Sequence, residues 1–237
     1  MDTLTRSDMK SWKLAAARGE AEAQWMLGYW YEEGACDATG VVLIAPKAKS
    51  ALRWYQAAAE QGHASAQAAM SRLLSSAVDV SPAFDQAIAW GKRAVAQGDA
   101  SAAFNLGTIY RDLGKPRTAF NWYQRAAAMG DHDAFLQLGL CHLFGWGVPQ
   151  DRDAAWSALV SVLDADPSTT CQRSREDATY WLAVMDLLGG RHTQRSMAPV
   201  RERLEVANAD EDHEQANALL NLIGKSRQMV KRPRKRS

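Results

Sequence analysis

The residue types best suited to chemistry are five histidines, His63, His132, His142, His192 and His213, and three cysteines, Cys36, Cys141 and Cys171. No histidine stands in a His-x-x-x-His pair or at another spacing that sets two imidazoles on one metal ion. Asp131, His132 and Asp133 have the composition of a ligand set. A closed zinc site needs four converging donors, however, and an aspartate at the start of a helix is a good cap. Cys141 beside His142 joins a nucleophile type to a base type, but helix neighbours point about 100° apart and do not face each other. Cys141 is therefore read as core. The acidic run Asp210, Glu211, Asp212, His213, Glu214 is read as a favourable helix start, where negative charge meets the positive end of the helix dipole. There is no phosphate loop, no Gly-x-Ser-x-Gly and no dinucleotide fingerprint. The expectation is a non-catalytic protein, with no catalytic residue, no metal and no cofactor. An odd number of cysteines without a Cys-x-x-Cys spacing suits a reducing compartment.

The elements that would position any site are repeated. Ala51, Trp54, Tyr55, Ala58, Ala59 and Gly62 recur as Ala119, Trp122, Tyr123, Ala126, Ala127 and Gly130, with a partial copy at Ala87, Trp90, Ala94 and Gly98. Spacings of three and four put these residues on one helical face. The alanines let a neighbouring helix approach closely, and Trp54, Trp90 and Trp122 are expected to fill the spaces between hairpins. The closing glycine suits a C-cap, where the left-handed conformation carries no Cβ penalty. Four residues later an alanine opens the next helix: Ala23, Leu27, Gly28, Tyr31; then Ala66 and Met70 in a weaker copy; Ala102, Leu106, Gly107, Tyr110; and Ala134, Leu138, Gly139. Self-similarity at a period of a few dozen residues is the signature of a repeat array, which points to binding rather than chemistry.

These residues resemble the Sel-one-like repeat family, a relative of the tetratricopeptide repeat, over roughly residues 11 to 166. The family loop Gly-x-Gly-Val-x-x-Asp stands here as Gly145, Trp146, Gly147, Val148, Pro149, Gln150 and Asp151. The resemblance implies an all-α fold, a right-handed α-solenoid of about five helical hairpins with terminal capping helices, whose first helices line the concave face. One repeat domain is expected over 1–224. It comprises a half-repeat cap at 8–19, repeats at about 20–62, 63–98, 99–130 and 131–166, a degenerate hairpin at 175–208 and a capping helix at 211–223. The segment DPSTTCQRSRED, between Asp166 and Ala178, reads as a loop because it holds Pro167 and many polar residues. Residues 225–237 read as a basic disordered tail.

Charge and surface bound the function. Seven cations, Lys225, Arg227, Lys231, Arg232, Arg234, Lys235 and Arg236, fall in the last thirteen residues. The rest carries 21 basic against 27 acidic residues, a net −6, which argues against a nucleic-acid groove in the array. Nucleic acid is then reachable only through the tail, where Lys231, Arg232, Arg234, Lys235 and Arg236 resemble a localisation signal or a nucleic-acid arm. No apolar run spans a membrane and no secretory signal is read at the N-terminus, so the expected location is cytoplasmic. Positions +3 and +6 of the first helices, Met26, Tyr29, Asn105, Thr108, Gln137 and Leu140, with Arg72 from the weak unit, are expected to face the groove and hold a protein partner. The family resemblance makes a bacterial immunity protein, with a toxin or effector as partner, the leading form of that reading. A regulatory or host-directed adaptor with a functional tail is the alternative.

Overall fold

The computed structural model describes residues 5–76, 82–189, 197–209 and 213–230, the side chains of 197, 222 and 224–230 excepted. Twelve helices and one two-stranded sheet occur among them. The chain divides into two compact units, Met1–Gly130 and Asp131–Ser237, where the sequence pattern reads as a single repeat domain.

In the first unit, α1 (Arg6–Ala17) is the half-repeat cap, opened by a capping box in which the Thr5 hydroxyl accepts from the Asp8 amide and the Asp8 carboxylate from the Thr5 amide. Three antiparallel hairpins follow: α2 (Ala21–Glu33) with α3 (Ala48–Glu60), α4 (Ala64–Ser76) with α5 (Phe84–Ala96), and α6 (Ala100–Asp112) with α7 (Pro116–Ala128). The alanines of the stripe, Ala51, Ala58, Ala87, Ala94, Ala119 and Ala126, are buried, as close helix approach requires. The first-helix glycine has a specific cause. A Cβ on Gly28 would lie 2.5 Å from the Tyr55 ring, and one on Gly107 2.5 Å from the Tyr123 ring. Each glycine is thus a socket for the second-helix tyrosine of its own hairpin, and burying a ring of that size contributes about 2–3 kcal/mol. At the hairpin ends Gly62 takes φ 91°, its amide donating to the Ala59 carbonyl while that of His63 reaches the Ala58 carbonyl.

A second repeated device ties successive hairpins together. The buried Gln24 side chain donates to the Ala16 carbonyl at the end of α1 and accepts from Gln61, just after α3. Gln67 repeats this one unit on, donating to the Ala59 carbonyl and accepting from Gln97. The bonds to Ala16 and Ala59 give carbonyls at helix ends a side-chain donor beside the turn amides of Gly19 and Gly62. Between α2 and α3 the insertion forms a small antiparallel ribbon, β1 (Ala35–Cys36) with β2 (Val42–Ile44), pairing Ala35 with Ile44 and Cys36 with Val42. Its turn is held by the Asp37 carboxylate, which accepts from the amides of Thr39 and Val41 and from the Thr39 hydroxyl.

In the second unit α8 (Ala134–Phe144) packs with α9 (Arg152–Asp164), α10 (Gln172–Gly189) with α11 (Met197–Ala207), and α12 (Glu214–Val230) covers the last hairpin. Here Gly139 faces Leu159 instead of a tyrosine, and Phe135 stands where the first two hairpins carry the clamping glutamine and the third carries Ala103. Two boundaries differ from the sequence reading. Helix α10 starts at Gln172, so half of DPSTTCQRSRED is helical and not loop. The cause is Arg175, whose guanidinium donates to the carbonyls of Val162, Leu163 and Ala165 and to the Thr170 hydroxyl, capping α9 and anchoring the first turn of α10. Helix α12 runs to Val230, so residues 225–230, read as the start of a disordered tail, are helical in backbone.

Candidate protein-binding surface

The expected partner strip is carried mostly on the first helices of the first unit, where α2 begins with an aromatic row. Tyr29, 46% exposed, stacks on Trp25 at 6.5 Å, and Trp25 stacks on His63 at 5.4 Å. His63 caps α4, its Nδ1 accepting from the Ala66 amide while Nε2 meets the Glu22 carboxylate at 3.0 Å. Arg72 is exposed and reaches across from α4 to Glu32 of α2 at 2.7 Å, and Glu32 also accepts from the Tyr55 hydroxyl at 2.9 Å. Burial and the neighbouring Glu32 charge both push the Tyr55 hydroxyl well above the usual phenol range, so it stays a donor. Met26 is half-buried against the α1–α2 core, and Asn105 and Thr108 are half-buried on α6, with Thr108 beside the Tyr123 hydroxyl at 3.4 Å. In the second unit Gln137 and Leu140 are half-buried on α8, Leu140 packing on the α8–α10 core. Tyr29 and Arg72 are the strip residues that present most surface. The tail residues Lys231, Arg232, Arg234, Lys235 and Arg236 lie outside the described residues, as do His192 and Asp210 to Asp212.

The repeat tryptophans fill the hairpin interfaces only in part, Trp54 packing on the α1–α2 core. Trp54, Trp90 and Trp122 are only half-buried, and each carries an arginine of its own helix over its ring: Arg53 at 5.5 Å, Arg93 at 4.6 Å and Arg125 at 5.3 Å. Beside Trp54 and Trp122 the next residues, Tyr55 and Tyr123, are the buried ones, while Gly91 follows Trp90; each indole is left to a cation that shields its outer face. Trp30 is buried against Trp12 of the cap. Trp146, in the Gly-x-Gly loop, is 48% exposed and stacks on the exposed Phe144 at 4.9 Å.

The candidate chemical groups have structural partners. Asp131 accepts from the Ala134 amide at the start of α8, and burial holds its carboxyl above the usual range against that hydrogen bond. Asp133 instead accepts from the Cys171 amide, fixing the loop before α10. Cys141 is buried. His213 is fully buried and caps α12, accepting from the Ala216 amide, with its other ring nitrogen 3.2 Å from Asp177. Among the described residues, no group of three or more His, Cys, Asp or Glu side chains converges as a metal site would require. A groove that the repeat pattern does not signal lies in the second unit between α9, α10 and α11, with a volume of about 510 Å3. At its base sits Glu176, a position inside the stretch read as loop.

Fold and surface together define an all-α protein of tandem helical hairpins, with aromatic side chains left on its surface. The Sel1 repeat model matches residues 21–63, 64–99, 100–131 and 133–157, and the chain belongs to the Sel1 repeat family, whose repeats form protein-interaction modules. It is similar to a protective antigen of uropathogenic Escherichia coli strains that displays an SLR fold, with 27% identity and a TM-score of 0.74 over 91% of this chain. The chain spans 44% of the length of that protein. It is also similar to a Sel1 repeat protein from Oxalobacter formigenes, at 29% identity and a TM-score of 0.65, over 83% of this chain and 74% of the other. YrrB, a TPR protein with an unusual peptide-binding site, shares the fold at 20% identity and a TM-score of 0.51, over 87% of this chain and 95% of its own. No curated protein sequence matches the chain. Among the described residues no helix is long and apolar enough to cross a membrane.

Proposed function

We propose that this chain is a non-catalytic bacterial protein-interaction module of the immunity type, which binds and neutralises a protein toxin in the cytoplasm. The observation that carries the interaction is the set of aromatic side chains left exposed on a closely packed array: Tyr29 in the first unit and the stacked Phe144 and Trp146 in the second. Aromatic anchors of this kind supply most of the energy in protein interfaces. The short array supports a partner held by one small adaptor, and the sequence carries no motif that would modify that partner. The test is co-expression with toxin candidates encoded beside it. Stable co-purification with one of them, together with restored growth, is expected. Failure to bind any such product sinks the immunity reading.

The second reading, an adaptor that addresses nucleic acid or the nucleus, is favoured by one observation, the run of cations at 231–236. Comparing DNA binding by the full chain and by a chain ending at 230, at increasing salt, separates the two. Binding that is salt-sensitive and vanishes with the tail would support the adaptor.

A further inference from the structure

We propose that the groove between α9, α10 and α11 is a receptor for an arginine or lysine side chain of a basic protein segment. The inference rests on the reading as an interaction module and adds the chemistry of the partner. Two carboxylates line this groove, Glu176 on α10 and Glu202 on α11, together with two guanidiniums, Arg175 and Arg203.

The guanidiniums are engaged elsewhere. Arg175 donates to three carbonyls at the end of α9 and to Thr170, and Arg203 pairs with Asp186 while lying over the Trp156 ring at 5.0 Å. Glu176 is only 6% exposed, and among the described residues its carboxylate accepts from the neutral Gln172 amide at 2.8 Å. A carboxylate this buried loses much of its hydration, and one neutral hydrogen bond replaces little of it. A cation entering the groove would give it a charged partner in place of solvent.

The surroundings favour the same occupant. Leu163 and Val206 line the groove, and Val206 is 58% exposed, a wall suited to the methylene stem of a long basic side chain. Residues 131–224 carry 7 basic against 15 acidic residues, a net −8, which draws a basic segment toward this unit. A planar guanidinium can meet a carboxylate with two parallel hydrogen bonds, so arginine is the preferred cation.

The experiment is an NMR titration of the 15N-labelled full chain with N-acetyl-arginine N-methylamide, with the citrulline analogue as a neutral isostere. Saturating amide shifts confined to α10 residues 172–179 and to α11 are expected with arginine, with affinity about tenfold or more weaker for citrulline and for Glu176→Gln. Glu202→Gln, at the exposed rim, is expected to weaken binding by about threefold. Thermal melting checks that Glu176→Gln is folded; should it unfold, the citrulline comparison and Glu202→Gln carry the test. Equal shifts with arginine and citrulline, shifts spread over other acidic surfaces, or undiminished binding by folded Glu176→Gln would overturn the proposal. A toxin that binds wild type and Glu176→Gln equally would leave the interaction module standing and remove only the groove.

Discussion

The two units of this chain share one hairpin plan and use their side chains differently. In Met1–Gly130 the same devices recur: Tyr55 over Gly28 and Tyr123 over Gly107, Gln24 and Gln67 clamping the preceding helix, and an arginine over each second-helix tryptophan. In Asp131–Ser237 the tyrosine is Leu159, the glutamine is Phe135 and the closing glycine is Asp166, and individual contacts such as Arg175 on the end of α9 hold the helices. Charge divides along the same line. Residues 1–130 carry 14 basic against 12 acidic residues, a net +2, against the −8 of residues 131–224. Regular repeats commit their polar groups to the neighbouring hairpin. Where the pattern decays, a groove lined by Glu176 and Glu202 opens between α9, α10 and α11.

The contrast predicts a graded set of outcomes. The largest is at the glycine sockets: Gly107→Ala sets a methyl against a buried, rigid ring and should destabilise by about 3 kcal/mol in chemical denaturation. Gly139→Ala meets the flexible Leu159 instead and should cost about 1 kcal/mol. Equal effects would break the distinction between the two units. Next, Arg175→Met should cost about 2 kcal/mol by leaving carbonyls of α9 without donors, with increased amide exchange at the start of α10. A change confined to the first unit would contradict the role given to Arg175. Gln67→Leu removes a buried clamp of the first unit and should cost about 1 kcal/mol, read from the urea midpoint. The smallest effect is expected from deleting residues 231–237, a stretch with no large apolar side chain, which should move stability by less than about 0.5 kcal/mol. A cooperative loss of helicity would show that the segment packs.

How much of this was legible in the sequence follows the same division. The hairpins of the first unit and their closing glycines could be placed because spacing three and four is a local signal that the repeat states several times. The start of α10 could not, since its first turn is fixed by Arg175 reaching back to α9, a contact with no periodic mark. The tryptophans are buried only in part, because in two of the three helices the adjacent Tyr55 and Tyr123 take the most buried position. The ribbon at 35–44 depends on Asp37 organising its own turn, and the groove depends on three helices whose lining residues lie far apart in sequence. Tyr29 and Arg72 stood at the expected exposed positions, while Phe144 ends α8 and Trp146 belongs to the family loop.

The central claim is that this array holds a protein, and affinity capture from the native cell tests it most directly, with the full chain and a chain ending at residue 230 as parallel baits at moderate salt. The account predicts one near-stoichiometric protein retained by both baits. Recovery of nucleic acid alone, and only by the bait that keeps residues 231–237, would contradict it.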